Sequence, residues 1–128
     1  MYNRNMDENR TLSIKETSEI LQCNINTVRN YLRLGYVPNV RINKNRHRIL
    51  QPWQVDLLAV LLGMKQAGFT SKQIRQYSRL FRQGKRTEKQ RLAMLTTHKH
   101  QLRNTIESCE KAIDFIERQE EIAYLTRR

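Results

Sequence analysis

Apolar residues recur at helical spacing in successive stretches of the chain, and capping and turn residues fall between them. Ile14, Thr17, Ile20 and Leu21 share one face of a 3.6-residue repeat, and Ser13 with Glu16 forms a capping box, so a first short helix is expected over 14–21. Asn24 is the next N-cap candidate. Ile25, Val28 and Leu32 then repeat up to Gly35, which predicts a second helix over about 25–34 closed by a glycine C-cap. Beyond Pro38, the pairs Val40/Ile42 and Ile49/Leu50 flank Asn43–Arg46, the pattern of a short basic hairpin. Pro52 suits the first turn of a third helix. Its residues Trp53, Val55, Leu57, Leu58, Val60, Leu61, Leu62 and Met64 are apolar on most sides, so this helix is expected to be the core of the domain, ending at Gly68. Thr70 and Gln73 form another capping box, and Ile74, Tyr77, Leu80 and Phe81 carry a fourth helix toward Gly84, packed back on the third.

Neither glycine nor proline occurs from Lys85 to Arg128, and this stretch reads as a single long helix, about 60 Å if helical throughout. Leu92, Leu95, Lys99, Leu102, Ile106, Cys109, Ile113, Ile116, Glu120 and Ala123 alternate by three and four, the spacing of a coiled-coil seam. A lone helix of this length cannot bury that stripe. Either it folds back on the globular part or it pairs with a second copy; pairing is expected, because a helix of this length outruns a small domain, with Leu92, Leu95, Leu102, Ile106, Cys109, Ile113 and Ile116 as the dimerisation residues.

Charge changes the picture next. Of 128 residues, 24 are Lys or Arg and 12 are Asp or Glu, a formal net charge of +12. Between Glu19 and Glu88 the only acid is Asp56, against Arg29, Arg33, Arg41, Lys44, Arg46, Arg48, Lys65, Lys72, Arg75, Arg79, Arg82, Lys85 and Arg86. A polyanion is the natural counterpart, and phosphate contacts release counterions that make such binding fall steeply with salt. From about Asn104 onward acids outnumber bases, so the tail is expected to stay off nucleic acid and serve assembly. With 7% aromatic residues, most of them in apolar stripes, a stacking RNA-binding module is disfavoured against one that binds duplex DNA.

Other chemistry is sparse. The apolar run Leu57–Met64 is too short to span a bilayer, which takes about 20 residues. Met1–Arg10 lacks the apolar core of a signal peptide, so the chain is expected in the cytoplasm with Cys23 and Cys109 as free thiols. His98 and His100, two apart on a helix, point to different faces. No metalloprotease, phosphate-loop or nucleophile-elbow motif occurs, so no catalytic residue, metal or cofactor is assigned.

The stretch Ser13–Pro38 resembles the helix-turn-helix of the MerR family of bacterial transcription regulators, and the order of elements matches through residue 122. Asn45–Arg48 stands where that family has its wing, and Ala67–Ser71 where its third and fourth helices join. The fold implied is all-α with a small β wing: a winged helix-turn-helix DNA-binding domain over 12–84, then a coiled-coil dimerisation helix over 85–124. Residues 1–11 would be a flexible N-terminal segment and 125–128 a C-terminal tail.

The resemblance further implies that the second helix enters the major groove, with Asn26, Thr27, Arg29, Asn30, Tyr31 and Arg33 toward DNA, Tyr31 being open to a core role as well. The wing would supply Arg41, Lys44, Arg46, His47 and Arg48, and a second wing Thr70, Ser71 and Lys72. The partners implied are double-stranded promoter DNA, distorted at a palindromic site, a second copy of the chain, and RNA polymerase. A DNA-shaping or recombination accessory protein would carry the same fold and charge, and site preference separates the two. Leu80–Thr87 is most similar to the branch that answers electrophiles, yet Gly63 stands where that branch has its reactive cysteine. Asn30 replaces a usual aromatic, Leu32 a usual acid, and Arg46 and His47 a usual Gly and Tyr. By resemblance to metal-binding members, which use thiolates near the end of this helix, Cys109 is the remaining sensor candidate, but it lies on the apolar seam, where a free cysteine acts as a small hydrophobe, and packing is the favoured role.

Overall fold

The computed structural model describes residues 10–127. Most of the expected N-terminal segment, 1–9, lies outside them, as does residue 128. Contacts divide the chain into two compact units that meet between Glu88 and Lys89.

The first unit begins with a strand that the sequence pattern does not announce, β1 (Leu12–Ser13), where a flexible lead-in followed directly by the first helix is expected. It is two residues long, too short for alternation to register, and it exists because Leu12, fully buried, pairs with Leu50. Helix α1 (Ile14–Leu21) follows. Its capping box is complete: Ser13 Oγ accepts from Glu16 N and Glu16 Oε1 from Ser13 N, both at 3.0 Å. The backbone N–H of Ser13, aided by Arg10, holds the Glu16 carboxyl below its ordinary pKa. The turn to α2 (Ile25–Arg33) passes through Gln22 at φ 53°, a left-handed C-cap filled here by a non-glycine residue, and Asn24 then caps α2 by accepting from Asn26 N at 2.8 Å.

The hairpin forms as β2 (Arg41–Ile42) and β3 (Arg48–Leu50), and β3 is the middle strand of an antiparallel sheet ordered β1-β3-β2, with Leu12 opposite Leu50 and Arg41 opposite Ile49. Helix α3 (Pro52–Gln66) supplies Val55, Leu57, Leu58 and Leu61, all essentially buried, to a core that also takes Leu12, Val28, Leu50 and Ile74. Trp53 and Val60 do not join it: they keep 37% and 38% of their surface, and the Trp53 ring stacks on Phe81 with centroids 6.3 Å apart. Near-continuous apolarity hid which face of α3 is outward. Helix α4 (Ser71–Arg82) starts at the Thr70/Gln73 capping box, and Thr70 Oγ1 accepts from Gln73 N at 3.1 Å.

One buried polar residue holds the wing to α3. Gln54, 1% exposed, accepts from Gln51 N at 2.7 Å through Oε1 and donates through Nε2 to the Pro38 carbonyl at 2.8 Å. Gln54→Leu keeps the volume but strands both backbone groups, at about 1–3 kcal/mol each. A urea midpoint lowered by the equivalent of about 2 kcal/mol or more, with unchanged slope, is the expected result. An unchanged midpoint would mean that water satisfies those groups.

Residues Gly84–Thr87 form a 3-10 turn where the sequence pattern continues the long helix from Lys85. Gly84 takes φ 76°, and Thr87 Oγ1 donates to the Leu80 and Gly84 carbonyls, tying the turn to α4. Helix α5 (Glu88–Thr126) then runs 39 residues, past the expected end at 124. Leu92, Leu102, Ile106, Ile113 and Ile116 are exposed along it, as are Phe115 and Ile122.

Candidate nucleic-acid interface

Helix α2 is divided lengthwise. Val28, Tyr31 and Leu32 are buried, while Asn26, Arg29, Asn30 and Arg33, at i, i+3, i+4 and i+7, form an exposed polar face. That face is internally braced: Arg29 Nη1 donates to Asn26 Oδ1 at 3.3 Å and Arg33 Nη2 to Asn30 Oδ1. Each amide steadies the guanidinium one turn on and leaves the remaining donors of the fork free for an acceptor. Leu32, where an acid is usual in the resemblance, is core.

The wing is shaped by Asn43, whose Oδ1 accepts from Asn45 N and His47 N at 3.0 Å each, while Asn43 N donates to the His47 carbonyl at 2.8 Å. This turn puts Arg46 at φ 63°, the left-handed region that favours glycine. Here the backbone cost is carried by an arginine, and its side chain lines the groove facing α2.

That groove is a concavity of about 660 Å³ lined by Ser13, Ile14, Lys15 and Ile25 with the α2 face Asn26, Arg29, Asn30, Arg33 and the wing residues Arg46, His47 and Arg48. Five cations and no acid line it. Among the described residues no carboxylate is paired with any of the five. Helix face and wing thus converge on one unneutralised cleft, and acceptor oxygens are what it lacks.

Several expected residues stand elsewhere. Tyr31 is part of the core: it is 8% exposed, its ring meets Tyr36 edge-on at 5.4 Å, and burial raises its hydroxyl pKa. Thr27 is half-buried and outside the groove lining, and Arg41 and Lys44 are exposed on the hairpin but do not line the groove either. Thr70 spends its hydroxyl on the α4 cap, with Ser71 exposed beside it. Lys72 lines a different cleft, with Arg75, Arg79 and Arg82. Lys15 is a groove residue that the sequence pattern passed over. Its signal was available, since it is the exposed cation of the first turn of α1, but a lone lysine among polar neighbours carries no spacing.

Cys23 is half-buried and its thiol pKa is raised by desolvation, as expected of a packing residue, whereas Cys109 is exposed on α5. Among the described residues no three His, Cys, Asp or Glu side chains group to hold a metal, and no helix is long and apolar enough to cross a membrane.

The family model described as "MerR HTH family regulatory protein" matches residues 12–80, and "MerR, DNA binding" matches 55–118. The chain belongs to the MerR family. Among solved structures, this MerR protein is similar to HiNmlR, a MerR family regulator lacking the sensor domain, bound to promoter DNA (21% identity, 82% of this chain and 80% of that one, TM-score 0.70). A MerR family regulator from Bacillus thuringiensis matches at 23% identity over 90% of this chain and 99% of that one, TM-score 0.71. One from Listeria monocytogenes matches at 28% over 91% and 87%, TM-score 0.71. Comparison with curated proteins gave no match. The winged helix-turn-helix followed by a long helix is the fold these MerR structures share with the chain.

Proposed function

We propose that this MerR family protein is a homodimeric transcription regulator of the cytoplasm. It reads a two-fold symmetric promoter site with α2 in the major groove, the wing on the adjacent phosphates, and distorts the site so that RNA polymerase can engage it. The cleft formed by the braced α2 face and the wing carries this reading, because its five unpaired cations are matched by phosphate oxygens and its amide and guanidinium donors by base edges. A structural neighbour bound to promoter DNA supports the same use of the fold. Two copies joined along α5 would set two such clefts at a fixed separation, mirrored by a palindrome. Bending DNA costs on the order of 1–6 kcal/mol, which the phosphate contacts must offset.

Selection of bound sequences from a random duplex pool tests the proposal. A palindrome with fixed half-site spacing, bound with an affinity that drops steeply as salt rises, is expected. Equal affinity for every duplex of the same length would point instead to an architectural protein.

A further inference from the structure

Two positions of the α5 seam are charged. Lys99 and Glu120 stand in the row that runs every seven residues through Ile106 and Ile113, and both are exposed. They are 120 − 99 = 21 positions apart, about 32 Å of helix at ~1.5 Å per residue, so they cannot meet within one chain. Among the described residues neither has an ion-pair partner. The same holds for Arg103 and Glu110, which flank the seam one position beyond Leu102 and Cys109. A charge pressed unpaired into an apolar seam is costly. How a second helix lies on α5 therefore decides whether these groups weaken the pairing or specify it.

Parallel pairing in register stacks like on like, Lys99 on the partner's Lys99 and Glu120 on the partner's Glu120. It also sets Arg103 and Glu110 across from the partner's His98 and the partner's Thr105, so neither gains an opposite charge. Antiparallel pairing reverses this. With Leu102 level with the partner's Ile113 and Ile106 with the partner's Cys109, every layer of the seam stays in phase. Lys99 and the partner's Glu120 then lie on the same side of the seam, four residues or about 6 Å apart along the axis. Helical side chains tilt toward their own N-terminus, and in opposed helices these two tilt toward each other. On the other side, Arg103 and the partner's Glu110 stand two residues or about 3 Å apart along the axis. Two-fold symmetry makes each pair twice.

A hollow on α5 fits the same register. Glu120, Ala123, Tyr124 and Arg127, at i, i+3, i+4 and i+7, outline a concavity of about 290 Å³. Four residues so spaced form the hole that takes a knob from a facing helix. Its floor is the small Ala123, and the knob level with it is the partner's Leu92. In the single chain Leu92 is 62% exposed.

We propose that Lys99, Arg103, Glu110 and Glu120 make α5 selective for a second copy of this chain, by pairing Lys99 with the partner's Glu120 and Arg103 with the partner's Glu110. A foreign helix that carries a similar apolar stripe leaves these charges unanswered, and polar groups at a seam fix register and partner in this way. The inference rests on the proposed homodimer.

The test is charge reversal in the full-length protein, read by sedimentation equilibrium, with circular dichroism verifying the helix. K99E and E120K are each expected to raise the dimer dissociation constant about tenfold or more, because two attractive pairs per dimer become repulsive. K99E/E120K rebuilds both pairs with the signs exchanged and should return the constant to within about threefold of the wild type. An equimolar mixture of K99E and E120K chains should form heterodimers, although each alone dimerises weakly. R103E, E110R and R103E/E110R should repeat the pattern and so fix the register. Single variants with wild-type constants, or a double variant no tighter than its singles in either set, would overturn the inference. If the wild type is nonetheless a dimer on its palindromic duplex, the proposed function stands. A wild-type monomer would end both.

Discussion

Arg29→Ala is expected to weaken binding to the selected duplex by about 1–3 kcal/mol and to relax base preference at one position of each half-site. Arg48→Ala should instead lower affinity for all sequences alike and make the salt slope shallower by about 0.9. The difference follows from where each side chain stands. Arg29 is in the middle of the exposed α2 face, steadied by Asn26 at 3.3 Å, and a helix in the major groove brings that face to base edges. Arg48 opens β3, half-buried beside Ile42, and reaches the cleft from its rim, where a duplex presents backbone. Neither change should unfold the domain. Alanine is the better helix former at the exposed position 29, and Leu50, the buried residue of β3, is untouched. Equilibrium binding of each variant to the selected duplex and to single-base variants of it makes the separation. Identical, sequence-independent losses for both would remove α2 from the base-reading role.

The limits of the sequence reading are local and physical. Capping boxes place α1 and α4 because their hydrogen bonds form between residues three apart, and the hairpin turn is visible in Asn43 for the same reason. What required distant partners was not legible. β1 exists only through Leu50, thirty-eight positions away from Leu12, and Gln54 becomes a buried strut only through the Pro38 carbonyl. Tyr31 illustrates the ambiguity of a polar aromatic at a helical boundary: its position fits either face of α2, and the contact with Tyr36 decides it. Lys72, Arg75, Arg79 and Arg82 were visible as charge yet not as one side of a cleft, because the opposite wall, Leu34, Gly35 and Tyr36, follows a different helix. Arg46 was legible as a cation but not as a left-handed residue, a property of the turn that only its backbone reveals.

Ile113→Glu is expected to convert the dimer to monomers and, through that, to lower affinity for the palindromic duplex by about 10²–10⁴-fold, the effective-concentration advantage of two linked clefts. In the single chain Ile113 keeps 53% of its surface, Ile106 57% and Ile116 55%, on a helix with no buried residue in its 39. Their spacing of seven and three is that of a and d positions, where a carboxylate would be desolvated against a facing apolar knob without a counter-charge. Arg118→Glu is the matching control. It falls two positions beyond Ile116, on the outward side of the heptad, so it adds the same charge type without entering the seam. Sedimentation should therefore give a dimer for the wild type and Arg118→Glu and a monomer for Ile113→Glu, with circular dichroism confirming that the winged domain stays folded in each. A wild-type monomer would overturn the proposed dimer and leave no second cleft for a symmetric site, and an Ile113→Glu dimer with intact palindrome binding would move assembly off the α5 seam.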